Sequence, residues 1–172
     1  MSTTAASTSS AAPAAYAAPP APALTPEALR AHWQGHRRLT RRVIEAFPED
    51  QLFTFSVGGM RPFGALTQEF LQMAVPMVRG VVDGTWTGDE RQPATKADVL
   101  AQWDEATREI DGLWSRIPPA RFDETITAFG QYTGKAHVLL LYVVDNEIHH
   151  RGQGYVYLRA LGITPPPFYE RA

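Results

Sequence analysis

The sequence predicts an all-α protein, an antiparallel four-helix bundle with a disordered N-terminal tail. Three observations predict this fold. Four segments place apolar residues at helical spacing, proline or glycine stands between these segments, and no set of strands looks able to pair. Residues 25–172 then form one domain, a length that a single hydrophobic core can serve. We expect the helices to pack with their neighbours antiparallel.

Residues 1–24 are expected to be the disordered tail. They include 10 Ala, 4 Pro, 4 Ser and 3 Thr, and the first charged residue of the chain is Glu27. A secretory signal begins with basic residues, which this segment lacks. Such a composition offers little apolar surface to bury, so we expect the segment to be removable with little loss of stability.

The first two helices are predicted from their ends. Thr25 is a suitable N-cap and Pro26 suits the first helical position, so the first helix is expected over 26–47. Residues 52–59 alternate like a strand but stand alone, which predicts an extended connector over the core. The second helix is expected over 63–82.

The last two helices complete the bundle. Thr95 and Asp98 resemble a capping box at the start of the third helix, and residues 120–134 are expected to be a long connection. The fourth helix is expected from about residue 135 to about Leu161, with Gly162 as its stop. Its first half, HVLLLYVV, is apolar nearly all round, which predicts burial on most sides.

The charge balance, the cysteine content and the apolar runs of the sequence exclude several classes of function. The chain has 16 Lys and Arg against 18 Asp and Glu, which argues against a dedicated nucleic-acid-binding protein. It has no cysteine, which excludes disulfides, thiolate metal ligands and thiol nucleophiles. No apolar run approaches the roughly 20 residues that a membrane-spanning helix needs. We expect a cytoplasmic protein without membrane partners.

The main candidate site lies in the second half of the fourth helix. Asn146 and His150 are four residues apart, so they share a face, and that face continues the stripe from Val143 to Tyr157. Polar groups that face inward need partners, water or a metal ion, and bundle interiors commonly hold metals. Two interpretations stay open, a metal site or a pair that only hydrogen-bonds across the bundle.

Glu69 borders the apolar stripe of the second helix. An acid at the margin of a core needs a partner. It could pair with Arg151, supply a carboxylate to a metal held with His150, or remain a solvated acid at the edge of the helix.

The first helix contains two further polar features. His32 and His36 have a spacing that suits two ligands on one helix, although capping or packing at the edge of the core is the expected role. Four arginines form a stripe that we expect to be solvated and to pair with acids such as Glu45, with binding of an anion or a nucleic acid as the alternative: Arg37, Arg38, Arg41 and Arg42. The four tryptophans are expected in or beside the core.

The sequence resembles the DinB/YfiT-like superfamily of bacterial four-helix proteins. The resemblance rests on the segments NEIHHRGQGYVYLRALGITPPPFYER at 146–171 and RPFGALTQEFLQM at 61–73, and on the helix order. It implies a divalent metal held by three histidines, one from the second helix and two from the fourth. The matching positions are Glu69, Asn146 and His150, of which only the last is histidine. His149 is an alternative ligand. The three residues are then expected to converge at one end of the bundle and line a pocket.

The resemblance implies two kinds of function. One is a metal-assisted transferase or hydrolase that uses Zn, Ni or Mn and a low-molecular-weight thiol. The other is a non-catalytic protein associated with stress or DNA damage, whose Glu/Asn/His cluster is structural or binds a small ligand. The resemblance also implies a homodimer, for which the aromatic, proline-rich end at 165–169 offers an apolar surface.

Overall fold

The structure is a computed structural model that describes residues 24–88 and 90–172. Its helices are α1 (Pro26–Ala46), α2 (Phe63–Asp83), α3 (Lys96–Trp114) and α4 (Ala136–Ala160). A 3₁₀ turn (Pro119–Asp123) and two short strands, β1 (Thr125–Ala128) and β2 (Tyr132–Lys135), lie between α3 and α4. The helical fold class is confirmed. The predicted disordered tail lies, except for Leu24, outside the described residues.

The ends of the helices follow from local hydrogen bonds. The Thr25 hydroxyl accepts from the Ala28 amide at 3.1 Å and caps α1. Thr95 and Asp98 form both bonds of a capping box at the start of α3, each 3.1 Å long. Gly162 has φ +77°, the left-handed conformation that ends α4. The caps read from the sequence are therefore those that the structure uses.

The connection between α3 and α4 corrects one expectation. Residues 120–134 were expected to be a connection without strands, but β1 and β2 pair antiparallel from Thr125–Lys135 to Ala128–Tyr132. Phe129 and Gly130, with φ 53° and 68°, make the turn of this hairpin. Each strand has only four residues, too few to show an alternating pattern in the sequence.

The segment after α1 corrects another expectation. Residues 52–59 do not form an extended connector throughout, because turns begin at Pro48, whose carbonyl accepts from the amides of Gln51 and Leu52. Leu52 is fully buried and its carbonyl accepts from the Gly64 amide at 2.7 Å. The turns therefore serve to hold the start of α2 against the core.

The core lies between the four helices. Trp33, Trp103 and Trp114 are buried and Trp86 is half-buried, as expected for the tryptophans. In α4, Leu140 is fully buried, but Tyr142 is 57% exposed, so the first half of this helix is buried on its inner side only. No helix among the described residues is long and apolar enough to cross a membrane.

Candidate functional site

Glu69, Asn146 and His150 meet between α2 and α4. The Asn146 amide nitrogen donates to Glu69 Oε1 at 3.0 Å, and His150 Nε2 lies 3.3 Å from the same oxygen. Asn146 and His150 face Glu69 because they are four residues apart on α4. The structure thus brings together the three side chains that the sequence and the resemblance selected.

A fourth residue completes this group, which we call the Glu69 cluster: Arg61, Glu69, Asn146 and His150. Arg61 Nη2 lies 2.6 Å from Glu69 Oε2, so both carboxylate oxygens have partners. Burial alone would raise the pKa of Glu69, but hydrogen bonds from Asn146 and Arg61, with the nearby charges, outweigh it and lower the pKa. Glu69 is therefore a carboxylate stabilised by donors on two sides.

The imidazole of His150 is held from its other side. Its Nδ1 lies 2.8 Å from Gln153 Oε1, and its ring packs on Phe70 with the centroids 5.9 Å apart. Its side chain is 12% exposed. His149, the alternative ligand, lies at an exposed position with its ring edge-on to His150. The structure therefore places His150, rather than His149, against Glu69.

A hollow of about 340 Å³ opens beside the Glu69 cluster. Glu69 and Arg61 form part of its wall, and the rest is mainly glutamine side chains. Its lining residues are Arg61, Ala65, Gln68, Glu69, Gln72 and Gln92. Of the three residues that we expected to line a pocket together, only Glu69 is among those that line this hollow.

The donor set of this cluster does not suit a divalent metal as it stands. Asn146 turns its amide NH₂ toward Glu69, and Arg61 occupies the other carboxylate oxygen. A cation would have to displace both donors and approach the guanidinium charge. Among residues 24–88 and 90–172, no group of three or more His, Asp or Glu side chains is placed to hold a metal.

Sequence reasoning missed a second polar group, which is buried between α1 and α4. Glu147 is 2% exposed. Its Oε1 accepts from the Thr40 hydroxyl at 2.6 Å and its Oε2 from the Trp33 indole at 3.1 Å. Arg37 Nη1 lies 4.0 Å and Arg151 Nη1 3.8 Å from its oxygens. Two buried guanidinium groups thus share one buried carboxylate.

Arg37 contradicts the prediction of a solvated arginine stripe. It is fully buried, with its guanidinium 4.1 Å from the centre of the Trp103 ring. It also donates to the Thr107 hydroxyl at 2.9 Å. Burial lowers the pKa of Arg37 to about 10, although Glu147 acts in the opposite direction. The spacing of four from Trp33 to Arg37 was the signal available in the sequence.

The rest of the stripe behaves largely as expected. Arg38 is exposed, and Arg41 pairs with Glu45, as predicted, and with Asp104 at 2.7 Å. The possible pairing of Glu69 with Arg151 is wrong, because Arg151 Nη1 donates instead to the Thr40 hydroxyl at 3.0 Å. Arg151 therefore joins α4 to α1 rather than to α2.

The two histidines of α1 lie side by side at the edge of the core. His32 Nε2 and His36 Nε2 are 3.2 Å apart, and His36 is 6% exposed whereas His32 is exposed. Arg151 Nη2 lies 2.9 Å from His36 Nδ1 and Arg171 Nη1 lies 2.9 Å from His36 Nε2, so an arginine donor faces each ring nitrogen. Since a metal ligand needs a free lone pair, packing at the core edge describes His36 better than ligation.

The fold and the site together define the class of this chain, a four-helix-bundle protein with a polar cluster between its second and fourth helices. The family model described as the DinB family matches residues 85–172, which is more than half of the sequence. The chain therefore belongs to the DinB family.

Individual relatives agree with this assignment. The chain is 25% identical over 145 residues to the uncharacterized protein YjoA of Bacillus subtilis strain 168, covering 81% of this chain and 93% of that protein. It is similar in fold to the crystal structure of that DinB-like protein, with a TM-score of 0.70 at 18% identity, covering 84% and 99% of the two chains. A DinB-like protein from Bacillus cereus gives a TM-score of 0.70 at 17% identity, covering 83% and 97%.

Proposed function

We propose that this DinB-family protein is a non-catalytic binding protein that takes a small polar molecule in the hollow beside the Glu69 cluster. The observation behind the proposal is that the Glu69 carboxylate is already satisfied by Arg61 and Asn146, at 2.6 and 3.0 Å. A carboxylate whose two oxygens both have hydrogen-bond donors can hold the wall of a binding site in place without a bound metal ion. The hollow has a volume of about 340 Å³ and is open to solvent, so it has room for a small polar molecule.

The lining indicates the chemistry of the ligand. The amides of Gln68, Gln72 and Gln92 can each donate and accept hydrogen bonds, and Arg61 is 54% exposed beside them. Such a wall suits an uncharged or weakly anionic molecule with several hydroxyl, amide or carbonyl groups. A low-molecular-weight thiol with a peptide or sugar portion belongs to this class.

The test is a nuclear magnetic resonance titration of the ¹⁵N-labelled protein with a panel of amino acids, sugars and small thiols. We expect at least one compound to shift amides at 61–72 and 92, and the shifts to be lost in Gln72→Leu. Gln131→Leu, an exposed change on the hairpin, is the matched control and should keep them. If no compound binds, or if the shifts lie elsewhere, the proposal is wrong.

The second candidate is the metal-assisted transferase or hydrolase, with Zn, Ni or Mn. One observation favours it, the 3.3 Å approach of His150 Nε2 to Glu69 Oε1, which brings a nitrogen and an oxygen ligand together. The metal content of protein purified without a histidine tag decides between the candidates. About one metal per chain, lost in His150→Ala but kept in His32→Ala, would support the enzyme, whereas we expect much less than one.

A gain-of-function variant sharpens this comparison. Glu69→His combined with Asn146→His installs the three histidines that the family resemblance implies and removes the partner of Arg61. We expect this variant to bind Zn or Ni at one per chain and the parent protein to bind much less. Equal uptake by both would show that the native residues already form a metal site.

Three further expectations belong to the same proposal. The protein is a cytoplasmic homodimer, and Phe168 and Tyr169, 72% and 68% exposed, supply an apolar surface to cover. Light scattering at tens of micromolar should give twice the mass of the chain, 19.0 kDa. The association with stress predicts that the amount of protein in its native cells rises after DNA damage, which immunoblotting can measure.

A further inference from the structure

One face of α4 is exposed along most of the helix. Between residues 138 and 156, exposed positions recur at alternating intervals of four and three. This is the spacing of a heptad seam, which keeps its residues in one line, here about 27 Å long. We call these residues the α4 stripe: Val138, Tyr142, Asp145, His149, Gly152 and Val156.

The α4 stripe combines large apolar side chains with an acid and a base. Val138, Tyr142 and Val156 are 51%, 57% and 52% exposed. Exposed apolar residues that lie together mark interaction surfaces, and heptad spacing favours another helix as the partner. Half-buried apolar residues follow one side of the stripe and widen it: Leu141, Ile148 and Tyr155.

The order of residues in the α4 stripe is complementary to its own reverse. When two copies of α4 lie antiparallel with their centres at residue 147, Asp145 faces the partner's His149. Tyr142 then faces the partner's Gly152, and Val138 faces the partner's Val156. A two-fold axis repeats each of these pairs, so one surface serves as both halves of the contact.

The central pair of this arrangement joins an acid to a base. Neither Asp145 nor His149 has an ion pair with another described residue. In the antiparallel contact, an imidazole N–H of the partner's His149 can donate to the Asp145 carboxylate. A parallel contact would place Asp145 against the same carboxylate of the other copy, which is repulsive. The charges of the stripe therefore favour the antiparallel direction.

The next pair joins a large residue to a small one. Tyr142 projects from the surface, whereas Gly152 has no side chain, and a Cβ built at Gly152 meets nothing within 4 Å. The open surface at Gly152 can accept the aromatic ring of the other copy. Large residues that face small ones let two helices pack closely.

We propose that the α4 stripe is the contact between two copies of this chain, packed as an antiparallel pair of α4 helices. The inference rests on the homodimer of the proposed function and assigns its contact to α4, whereas Phe168 and Tyr169 belong to the segment after this helix. The stripe also lies on a different face of α4 from Asn146 and His150, whose side chains approach Glu69.

The first test exchanges the charges of the central pair and measures mass by light scattering at tens of micromolar. Asp145→Lys sets a lysine against the partner's His149, and His149→Glu sets a glutamate against Asp145. Each variant alone should dimerise about tenfold or more weakly than the parent protein. An equimolar mixture should recover the dimer, because the lysine of one copy then faces the glutamate of the other.

The matched control is Asp123→Lys, the same charge change at a residue that is 81% exposed outside the stripe. It should dimerise as the parent does, and circular dichroism establishes that all variants are folded. Unchanged dimers of Asp145→Lys and His149→Glu would overturn the inference. If these dimers were instead lost in Phe168→Ser or Tyr169→Ser, the homodimer would stand with a different contact. A monomeric parent protein would overturn both.

The second test determines the direction of packing with cysteines, of which the chain has none. Val138→Cys and Val156→Cys are made in separate samples, mixed and mildly oxidised. A disulfide needs Cα atoms within about 7 Å, so an antiparallel pair should cross-link efficiently in the mixture and in neither sample alone. Cross-linking of Val138→Cys with itself would show a parallel contact, and an uncross-linked mixture would show that these positions do not meet. Either result would overturn the inference.

Discussion

Acidification should destabilise this protein through His36 by an amount that can be calculated. Burial, with the positive charges of Arg151, His32 and Arg171, lowers the pKa of His36 from 6.5 to about 3 in the folded state. In the unfolded chain the same group takes up a proton near pH 6.5. Between these two values the unfolded state binds the extra proton, so stability is present at higher pH and is lost as the pH falls.

The magnitude follows from the width of the pH interval. From pH 6.5 to pH 5 the interval is about 1.5 units, and each unit corresponds to about 1.36 kcal/mol, so His36 alone should cost about 2 kcal/mol. This value requires only that the folded pKa lies well below 5.

Urea denaturation followed by tryptophan fluorescence, in buffers without phosphate, measures the effect. His36→Gln retains an acceptor for Arg151 but cannot titrate, so its loss of stability between pH 6.5 and 5 should be smaller than the parent's by about 2 kcal/mol. His149→Gln removes an exposed histidine outside this group and should behave like the parent. Parallel pH curves for the parent protein and His36→Gln would refute the reasoning.

Two further predictions concern buried positions. Glu147→Gln removes the charge that two buried arginines share and should lower the free energy of unfolding by about 3–5 kcal/mol. The control is Glu105→Gln, which breaks an exposed ion pair and should lower it by less than about 1 kcal/mol. Similar losses in urea denaturation would contradict the role of Glu147. Gly154→Ala places a Cβ 2.5 Å from the buried Phe63 ring and should cost about 1–3 kcal/mol, while Gly152→Ala meets nothing within 4 Å. A Gly154→Ala protein that melts no lower than Gly152→Ala would show that the ring moves freely.

The fold could be predicted from the sequence where local chemistry alone decides it. Thr25 and Thr95 cap helices through their own side chains, and Gly162 ends α4 by adopting a positive φ. The hairpin at 125–135 could not be predicted in this way, because its four-residue strands are too short to show an alternating pattern and are held by backbone pairing. The Ala136 amide, which donates to the Glu124 carbonyl at 3.0 Å, ties its end to the start of α4.

The Glu69 cluster could be predicted only in part. Helical spacing placed Asn146 and His150 on one face, and the family resemblance placed Glu69 opposite them. The ion pair of Arg61 with Glu69 could not be predicted, because Arg61 lies before the start of α2. Helical spacing therefore does not tell which residues of α2 its side chain contacts. Burial of Arg37 and Glu147 was missed because charged residues are rarely buried unless they are paired. Their partners here lie on other helices, which the spacing along one helix does not reveal.

The side chains of His150 and Arg151, which are consecutive on α4, face two different helices. Their contacts within the protein account for their positions without a bound metal ion. His150 faces α2, where it approaches Glu69, and Gln153 holds its Nδ1 at 2.8 Å. Arg151, one position further round the helix, faces α1 and bonds the His36 carbonyl at 3.2 Å and the Thr40 hydroxyl at 3.0 Å. Arg151 Nη2 also lies 2.9 Å from His36 Nδ1, so this arginine contacts three polar atoms of α1. His150 and Arg151 therefore join α4 to α2 and to α1 through contacts that the protein makes with itself.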